Sequence, residues 1–475
     1  MDRGKFMHIR CNHAVGAGLY LALCALPAAA QVGGFGGMGG FGGMAAGVGF
    51  GEVRPDVPSV RPWIMVNGNA SKQLNAPTPQ KVNYGSSIAG GIVGSRSWAR
   101  TTLVGSYTAG GFIVNPYSHL GRSAGLSQVA GVQLIHQVSR GLSVAVRGFG
   151  GSSNGGYGIG GGFGGISFLA PVAISPTTSP SQGQAGSSNA GLGFEDFSRN
   201  GLVDDELFDT RVTFTGVNGG VSYTPDGRNI FSFDLGAARV RRSLDYLVGM
   251  DNLGAGVSYS RMLSPQLSTG AAYSFGQFSF PGFYGGNQIH NLGWNLGYRI
   301  NPSTHFSLTL GGYQFQVDRV GSVALPPQLA AILGQSQLQQ VVNIRRRGAS
   351  GGASLSRRLP IGGASVAYFR GATPGNGVLF ATQRETFAAN YSAGTSRMSV
   401  GSAAFVSRGK GLSTVSGSTS NTGVVGFFSS RIIGALHFTA TAGHRWIEAG
   451  TLGQRRTFHA TVGLGFSPGS FPMWF

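Results

Sequence analysis

The chain has 475 residues and a formal net charge of +19, yet charged residues make up only 11% of it and glycine occurs 83 times. Soluble globular domains carry about 25% charged residues, so the composition disfavours an ordinary soluble domain. The 31 phenylalanines and 14 tyrosines argue against disorder, because disordered chains contain few aromatic residues.

Residues 1–30 have the organisation of a cleavable signal peptide. A basic segment, MDRGKFMHIR, precedes the apolar run AVGAGLYLALCAL and the small residues PAAAQ, and we expect cleavage after Ala30. An N-terminal membrane anchor is the alternative, but the apolar run is shorter than the ~20 residues that span a bilayer. Cys11 and Cys24 lie in this segment, so the mature chain is predicted to hold no disulfide and no thiolate site. For an exported chain, the scattered arginines indicate anionic lipid, lipopolysaccharide phosphate or an anionic solute rather than nucleic acid.

A glycine-rich segment over 31–58 is predicted to be a periplasmic linker. From residue 59 onward, segments of roughly 9–16 residues alternate with period two, which predicts β-strands. In NLGAGVSYS (252–260), for example, large apolar residues alternate with glycine, serine and asparagine. Transmembrane strands need about 9–11 residues and show this alternation, whereas soluble strands are usually shorter.

Short turns and longer links alternate along the chain. Short turns are predicted at 95–97, 140–141, 225–228, 264–266, 301–304, 358–362, 395–397 and 430–433. Longer links are predicted at 114–126, 152–211, 242–248, 281–287, 318–340, 375–382, 409–420 and 446–453. This alternation is typical of outer-membrane barrels, whose periplasmic turns are short and whose extracellular loops are longer. We therefore predict an all-β fold, a transmembrane antiparallel up-and-down β-barrel of about 18 strands over 59–466, with 16 strands as the alternative.

The last predicted strand, 454–466, carries an apolar stripe formed by Phe458, Ala460, Val462, Leu464 and Phe466. This stripe closes on an aromatic residue and resembles the terminal-strand signal that the barrel-assembly machinery of Gram-negative outer membranes recognises. Residues 467–475 are predicted to form a C-terminal tail, and Phe475 is the alternative terminal aromatic.

The phrases RPW (61–63), SRSWARTTLVGSYTAGG (95–111) and YSRMLSPQLS (259–268) carry a family resemblance. Over 59–466 the chain resembles bacterial outer-membrane β-barrel proteins, and more narrowly a porin-like group of uncharacterised barrels. The resemblance implies a barrel in the outer membrane and solute passage, and it implies no catalytic residues.

Candidate catalytic and metal-binding patterns are weak. The histidines are isolated and no His-x-x-x-His pair occurs, so we predict no enzyme, no cofactor and no metal. One acidic cluster stands out in the longest predicted extracellular loop: Glu195, Asp196, Asp204, Asp205, Glu206 and Asp209. A calcium site or a cation-attracting lip is one interpretation, but the calcium-loop spacing is absent, which favours a solvated charge run.

Two further features belong to the predicted outer rim. The run RRR at 345–347 is interpreted either as a bridge between lipopolysaccharide phosphates or as solvent-exposed charge. The spacing of leucine and isoleucine over 326–342 predicts a short helix in the preceding loop.

Because successive side chains of a strand point to opposite faces, the position of a residue in its strand (its parity) predicts whether it points inward. The residues predicted in this way to line a pore are Arg147, Asp234, Asn252, Asn291, Asn295, Arg299, Thr439, Thr441 and His459. An eighteen-stranded barrel is wide enough for an aqueous channel. The leading hypothesis is a porin-like channel for passive passage of small hydrophilic solutes, with anions or saccharides as candidate classes. The alternative is a non-conducting structural or adhesive barrel whose lumen is plugged by the 152–211 loop. The same residues then satisfy one another inside the lumen, and the extracellular loops bind a ligand. The expected partners are outer-membrane lipid, lipopolysaccharide, the barrel-assembly machinery and small solutes.

Overall fold

The computed structural model describes residues 59–75, 82–114, 124–154, 211–243, 249–281, 286–324, 337–374, 381–395, 397–411, 418–449, 454–468 and 471–472. The strands are β1 (Ser59–Gln73), β2 (Asn83–Ser97), β3 (Thr101–Val114), β4 (Ala124–Gln137), β5 (Leu142–Asn154), β6 (Arg211–Tyr223), β7 (Asn229–Arg242), β8 (Met250–Met262), β9 (Leu267–Ser279), β10 (Gly286–Asn301), β11 (Thr304–Ala324), β12 (Gln337–Leu359), β13 (Gly362–Pro374), β14 (Ala381–Gly394), β15 (Met398–Gly411), β16 (Ser418–Ile433), β17 (Leu436–Ala449), β18 (Gln454–Phe466) and the two-residue β19 (Phe471–Pro472).

The long strands form one closed antiparallel sheet. Each strand from β1 to β18 pairs with its neighbours in chain order, and β1 pairs with β18, from Ile64 opposite Phe466 to Gln73 opposite Thr457. The prediction of an up-and-down barrel with eighteen strands is therefore confirmed, and the sixteen-strand alternative is wrong. In the described ranges no helix is long and apolar enough to cross a membrane.

The eight short connections all lie at one end of the barrel, which we call the turn end, together with the first residue of β1 and the last of β18. The strand ends that the longer links join lie at the opposite end, which we call the loop end. Two predicted turns are displaced: β2 continues to Ser97 and β16 to Ile433, past the predicted 95–97 and 430–433. The second displacement has a clear cause. Gly434 has a φ of 51°, a left-handed conformation that glycine adopts readily, so the chain reverses there.

The link predicted at 318–340 is shorter than expected, because β11 and β12 continue well into it. Ala324 pairs with Gln337, and the pairing runs without interruption down to Thr304 opposite Arg357. The helix predicted over 326–342 is wrong for 337–342, which pair with β11; the rest of that segment lies outside the described residues.

The C-terminal tail predicted at 467–475 is in part an extension of the barrel seam. Phe471 pairs with Val60, and Pro472 pairs with Ser59, beyond the point where β18 ends. Residues 471–472 therefore continue, after a break, the antiparallel pairing that β18 makes with β1. The C-terminal segment thereby reaches the first residues of the barrel.

The outer face of the sheet is apolar. Large apolar side chains on alternate residues of the strands are a third to two thirds exposed, for example Ile64, Val66, Leu253, Val257 and Leu464. Monomeric soluble proteins rarely expose contiguous apolar patches larger than a few hundred Å². A continuous apolar face around a closed barrel is stable when it contacts lipid, as in membrane barrels.

The turns are held by local hydrogen bonds. In the YSRMLSPQLS segment, the Ser264 hydroxyl accepts from the backbone N–H groups of Gln266 and Leu267, at 3.2 and 3.1 Å. In the preceding turn, Asp226 Oδ1 accepts from the N–H groups of Arg228 and Asn229, at 3.0 and 2.7 Å. These bonds favour the ionised carboxylate and lower the pKa of Asp226 below its usual value. Short polar side chains that bond the backbone in this way are the usual means of reversing a chain tightly.

Candidate functional site: the barrel interior

The inner face of the barrel follows from the register. Residues opposite each other in antiparallel strands share a face, so the face of Asn67 is also that of Gly463 and Thr439. It is the face opposite the exposed large apolar side chains. We call it the inner face, and its residues are mainly glycine, serine, threonine and asparagine.

The charged residues of the inner face are almost all basic. Within the described side chains it carries nine arginines, namely Arg61, Arg147, Arg242, Arg299, Arg346, Arg358, Arg384, Arg431 and Arg445. Asp234, which lies over Gly220 of β6, is the one acid found on the same face in those residues. The inner face therefore produces a positive potential.

The structure places each predicted pore-lining residue on the inner face. Those on β5 to β10 are Arg147, Asp234, Asn252, Asn291, Asn295 and Arg299, and those on β17 and β18 are Thr439, Thr441 and His459. Several of them are buried rather than open to solvent, among them Asn252 and His459. At the turn end, Arg299 donates through Nη2 to the carbonyl of Pro265. That these residues line a passage stays a prediction.

Glycines on the inner face are covered by rings from neighbouring positions. The pairs are Trp63 with Gly91, Phe149 with Gly216, Phe214 with Gly151, Tyr313 with Gly348, Phe405 with Gly423, Phe427 with Gly401 and His459 with Gly443. A methyl group on any of these glycines would crowd the ring. Glycine therefore lets large inward side chains lie along the wall, where they cover exposed backbone.

An apolar patch occupies the loop half of β6 to β11. Its inward side chains are Val212, Phe214, Val240, Met250, Phe278, Ile289, Tyr313, Phe315 and Val317. Phe278, Ile289 and Phe315 have 0% exposure. The sequence pattern does not reveal this patch, because aromatic residues on the inner face cannot be distinguished from aromatic residues on the lipid face until the register is known.

A polar cluster lies on the opposite wall of the barrel from the apolar patch, and it too is in the loop half. It consists of Asn421 on β16, Thr441 and Arg445 on β17, and His459 on β18. Arg445 donates through Nε to Asn421 Oδ1 at 3.1 Å, while His459 is opposite Gly443, two residues from Arg445. All four side chains are at most 8% exposed. Arg445 has the same strand parity as Thr441, so the sequence pattern could have identified it.

The arginine run at 345–347 is split between the two faces of β12. Arg346 faces inward, opposite Phe315. Arg345 and Arg347 face outward, where they donate to the side-chain oxygens of Gln316 and Gln314 at 3.4 and 3.0 Å. The two outward arginines are available to anionic groups at the outer surface.

The acidic cluster Glu195, Asp196, Asp204, Asp205, Glu206 and Asp209 lies outside the described residues. Within the described part of the chain, no group of three or more histidine and carboxylate side chains is placed to hold a metal ion.

No family model and no curated protein matches this chain. Among solved structures, the outer membrane protein OpdK from Pseudomonas aeruginosa is 9% identical, with 86% of this chain and 98% of OpdK covered and a TM-score of 0.43. OccAB4 from Acinetobacter baumannii is 8% identical, with 88% and 99% covered and a TM-score of 0.41. The ferric-catecholate import receptor Fiu from E. coli K12 is 8% identical, with 88% and 82% covered and a TM-score of 0.43. Likenesses of this strength concern the barrel alone, and no cargo follows from them.

Proposed function

We propose that this protein is an outer-membrane channel for passive passage of small hydrophilic solutes, with a preference for anions. The observation that supports the proposal is the charge of the inner face. Among the described side chains, this face carries nine arginines and one aspartate. A low-dielectric wall lined by one sign of charge concentrates the opposite ion inside a channel.

The size of the barrel supports the same proposal. Eighteen strands enclose a wider interior than the eight-stranded barrels whose side chains fill the lumen, and channels of 16–18 strands are aqueous. Small residues predominate on the inner face, and rings lie along the wall over glycines such as Gly216 and Gly443, which favours an open interior. Saccharides remain a second solute class, because the neutral hydroxyl and amide groups of the wall can bond sugar hydroxyls.

Purified full-length protein in planar bilayers tests this proposal. Discrete conductance steps whose size scales with salt concentration are expected. A protein that inserts into the bilayer, as shown by protease protection, and gives no steps across a range of salt concentrations would contradict it.

A second candidate is a non-conducting barrel with a filled interior and ligand-binding extracellular loops. The complete burial of Phe278, Ile289 and Phe315 on the inner face favours it, since wall side chains beside open water would be partly exposed. The sequence-based hypothesis assigns the plug to the 152–211 link, of which 155–210 lie between β5 and β6. Deleting 155–210 would then open a current that the intact protein lacks, and an unchanged trace after deletion would exclude plugging by that link.

Localisation and biogenesis belong to the same proposal. Export by a signal peptide over 1–30 predicts a mature chain that begins at residue 31, which N-terminal sequencing of the membrane fraction checks. Insertion by the barrel-assembly machinery predicts accumulation in the periplasm when that machinery is depleted. Contact of Arg345 and Arg347 with lipopolysaccharide phosphates predicts weaker lipopolysaccharide co-purification when both are replaced by glutamine.

A further inference from the structure

We propose that the polar cluster of Asn421, Thr441, Arg445 and His459 is a binding subsite for an oxyanion, a carboxylate or phosphate group carried by a small solute. This inference rests on the proposed passage function, since the solute must reach the inner face.

The cluster is built across three adjacent strands. Gly423 of β16 is opposite Arg445, and Gly443 of β17 is opposite His459. The His459 ring lies against Gly443, two residues from Arg445 on β17, so the imidazole and the guanidinium occupy neighbouring parts of the wall, whereas Gly423 is covered by the Phe405 ring. The bond from Arg445 Nε to Asn421 Oδ1, at 3.1 Å, uses the amide oxygen as an acceptor and thereby orients both groups.

Three buried polar atoms of the cluster have no hydrogen-bond partner within the described part of the chain. They are Asn421 Nδ2, Thr441 Oγ1 and His459 Nε2. Their side chains are 5%, 7% and 4% exposed, respectively. Buried polar groups in proteins are nearly always hydrogen-bonded, to protein, to water or to a ligand. Three such atoms on neighbouring strands indicate a place where an external group completes the bonding.

The charge and donor count select the class of ligand. With its oxygen engaged by Arg445, Asn421 presents only its amide N–H groups, and threonine and histidine can donate as well. Within the described side chains, the inner face of β14 to β2 holds four arginines and no carboxylate: Arg61, Arg384, Arg431 and Arg445. Donors beside a fixed guanidinium suit a planar or tetrahedral oxyanion and disfavour a cation.

Calorimetric titration of the purified full-length protein in detergent, at low ionic strength, tests the subsite with two probes, inorganic phosphate and succinate. Saturable binding of at least one probe is expected. The probe that binds more tightly identifies the oxyanion as a phosphate or a carboxylate. The Arg445→Gln variant should bind that probe at least tenfold more weakly. The Asn421→Ala variant should weaken it several-fold, and it provides a second test should Arg445→Gln not fold.

The matched control is Arg346→Gln, which removes the same charge from the inner face of β12, away from the cluster. It should lower anion selectivity but change the affinity for the probe less than twofold. An equal loss of affinity in Arg346→Gln and Arg445→Gln would overturn the subsite in favour of a general positive field. Absence of saturable binding for both probes would overturn the subsite as well, because water alone would then satisfy the hydrogen bonds of the three atoms.

The two proposals fail separately. Conductance steps without saturable binding overturn the subsite and leave the passage function standing. Saturable binding that Arg445→Gln abolishes, in a protein without conductance steps, overturns passage and supports a binding barrel.

Discussion

The imidazole of His459 on β18 lies against Gly443 on β17, so closely that a methyl group on the glycine would stand only 2.6 Å from Nε2 of the ring. The same relation recurs between Phe149 and Gly216, and between Tyr313 and Gly348. It shows why a membrane barrel with so much glycine is still ordered. Each such glycine receives a ring from a neighbouring strand, and the ring restores the contact area that the missing side chain would have supplied.

Replacing Gly443 by alanine should therefore destabilise the barrel. The new methyl group would displace the His459 ring, and over-packing of this kind typically costs about 1–3 kcal/mol. Urea unfolding in lipid vesicles, followed by tryptophan fluorescence, measures the effect. The matched control is Gly105→Ala on β3, where an added Cβ meets nothing within 4 Å. Equal stability of the two variants would show that ring-over-glycine packing does not hold this wall.

Replacing Asp234 by asparagine should increase anion selectivity. Asp234 is the one acid on the inner face among the described side chains, and its loss removes the negative charge that offsets the arginines. The ratio of anion to cation permeability in planar bilayers measures the change. Glu385→Gln is the control, because Glu385 faces outward and pairs with Arg370 at 3.4 Å. A larger shift for Glu385→Gln than for Asp234→Asn would contradict the assignment of faces.

The turn at Asp226 should make the barrel less stable at low pH. Its folded pKa is lowered by the N–H groups of Asn229 and Arg228, so ionisation stabilises the fold above the unfolded pKa, and this contribution is lost as the pH falls through the folded pKa. Asp226→Ala should lower the urea midpoint at pH 7, and its difference from wild type should shrink toward pH 3. Asp226→Asn keeps an acceptor oxygen and should remove mainly the pH dependence. A difference between wild type and Asp226→Ala that is the same at both pH values would contradict this account.

A charged residue on the outer face should destabilise the folded barrel only where that face contacts the hydrocarbon of the bilayer. Val257 lies at the middle of β8 and is 50% exposed, while Leu263 is 54% exposed in the turn that follows. Arginine at the bilayer midplane of a barrel costs about 2–4 kcal/mol and at the interface only about 0–1. Val257→Arg should therefore reduce folding yield into vesicles much more than Leu263→Arg. Similar yields for the two variants would place β8 outside a membrane.

Much of the fold could be predicted because the signals are local. Alternation of apolar and small residues identifies a strand without reference to its neighbours, and the predicted last strand, 454–466, matches β18 (Gln454–Phe466). Turn positions were predicted less well, because alternation of residue types does not show at which residue the backbone reverses. Ser97 still pairs with Thr102, and the reversal after β16 waits for Gly434.

The interior could be predicted only in part. Parity assigned Thr441 and His459 to the inner face, but the contact of Arg445 with Asn421 joins residues 24 positions apart through the register of β16 and β17. The apolar patch was missed for the same reason: Phe278 and Phe315 come together only through β10, which pairs with both β9 and β11. Pairing offsets of this kind leave no local mark in the sequence.

The most direct test of whether the inner-face arginines set the selectivity of a passage is a reversal potential. It is measured on the full-length protein in a planar bilayer that separates two potassium chloride concentrations. A reversal potential with the sign of the chloride equilibrium potential is expected, and it should move toward zero in the Arg445→Gln variant. A reversal potential with the sign of potassium, or conductance steps with no ion preference, would contradict the account.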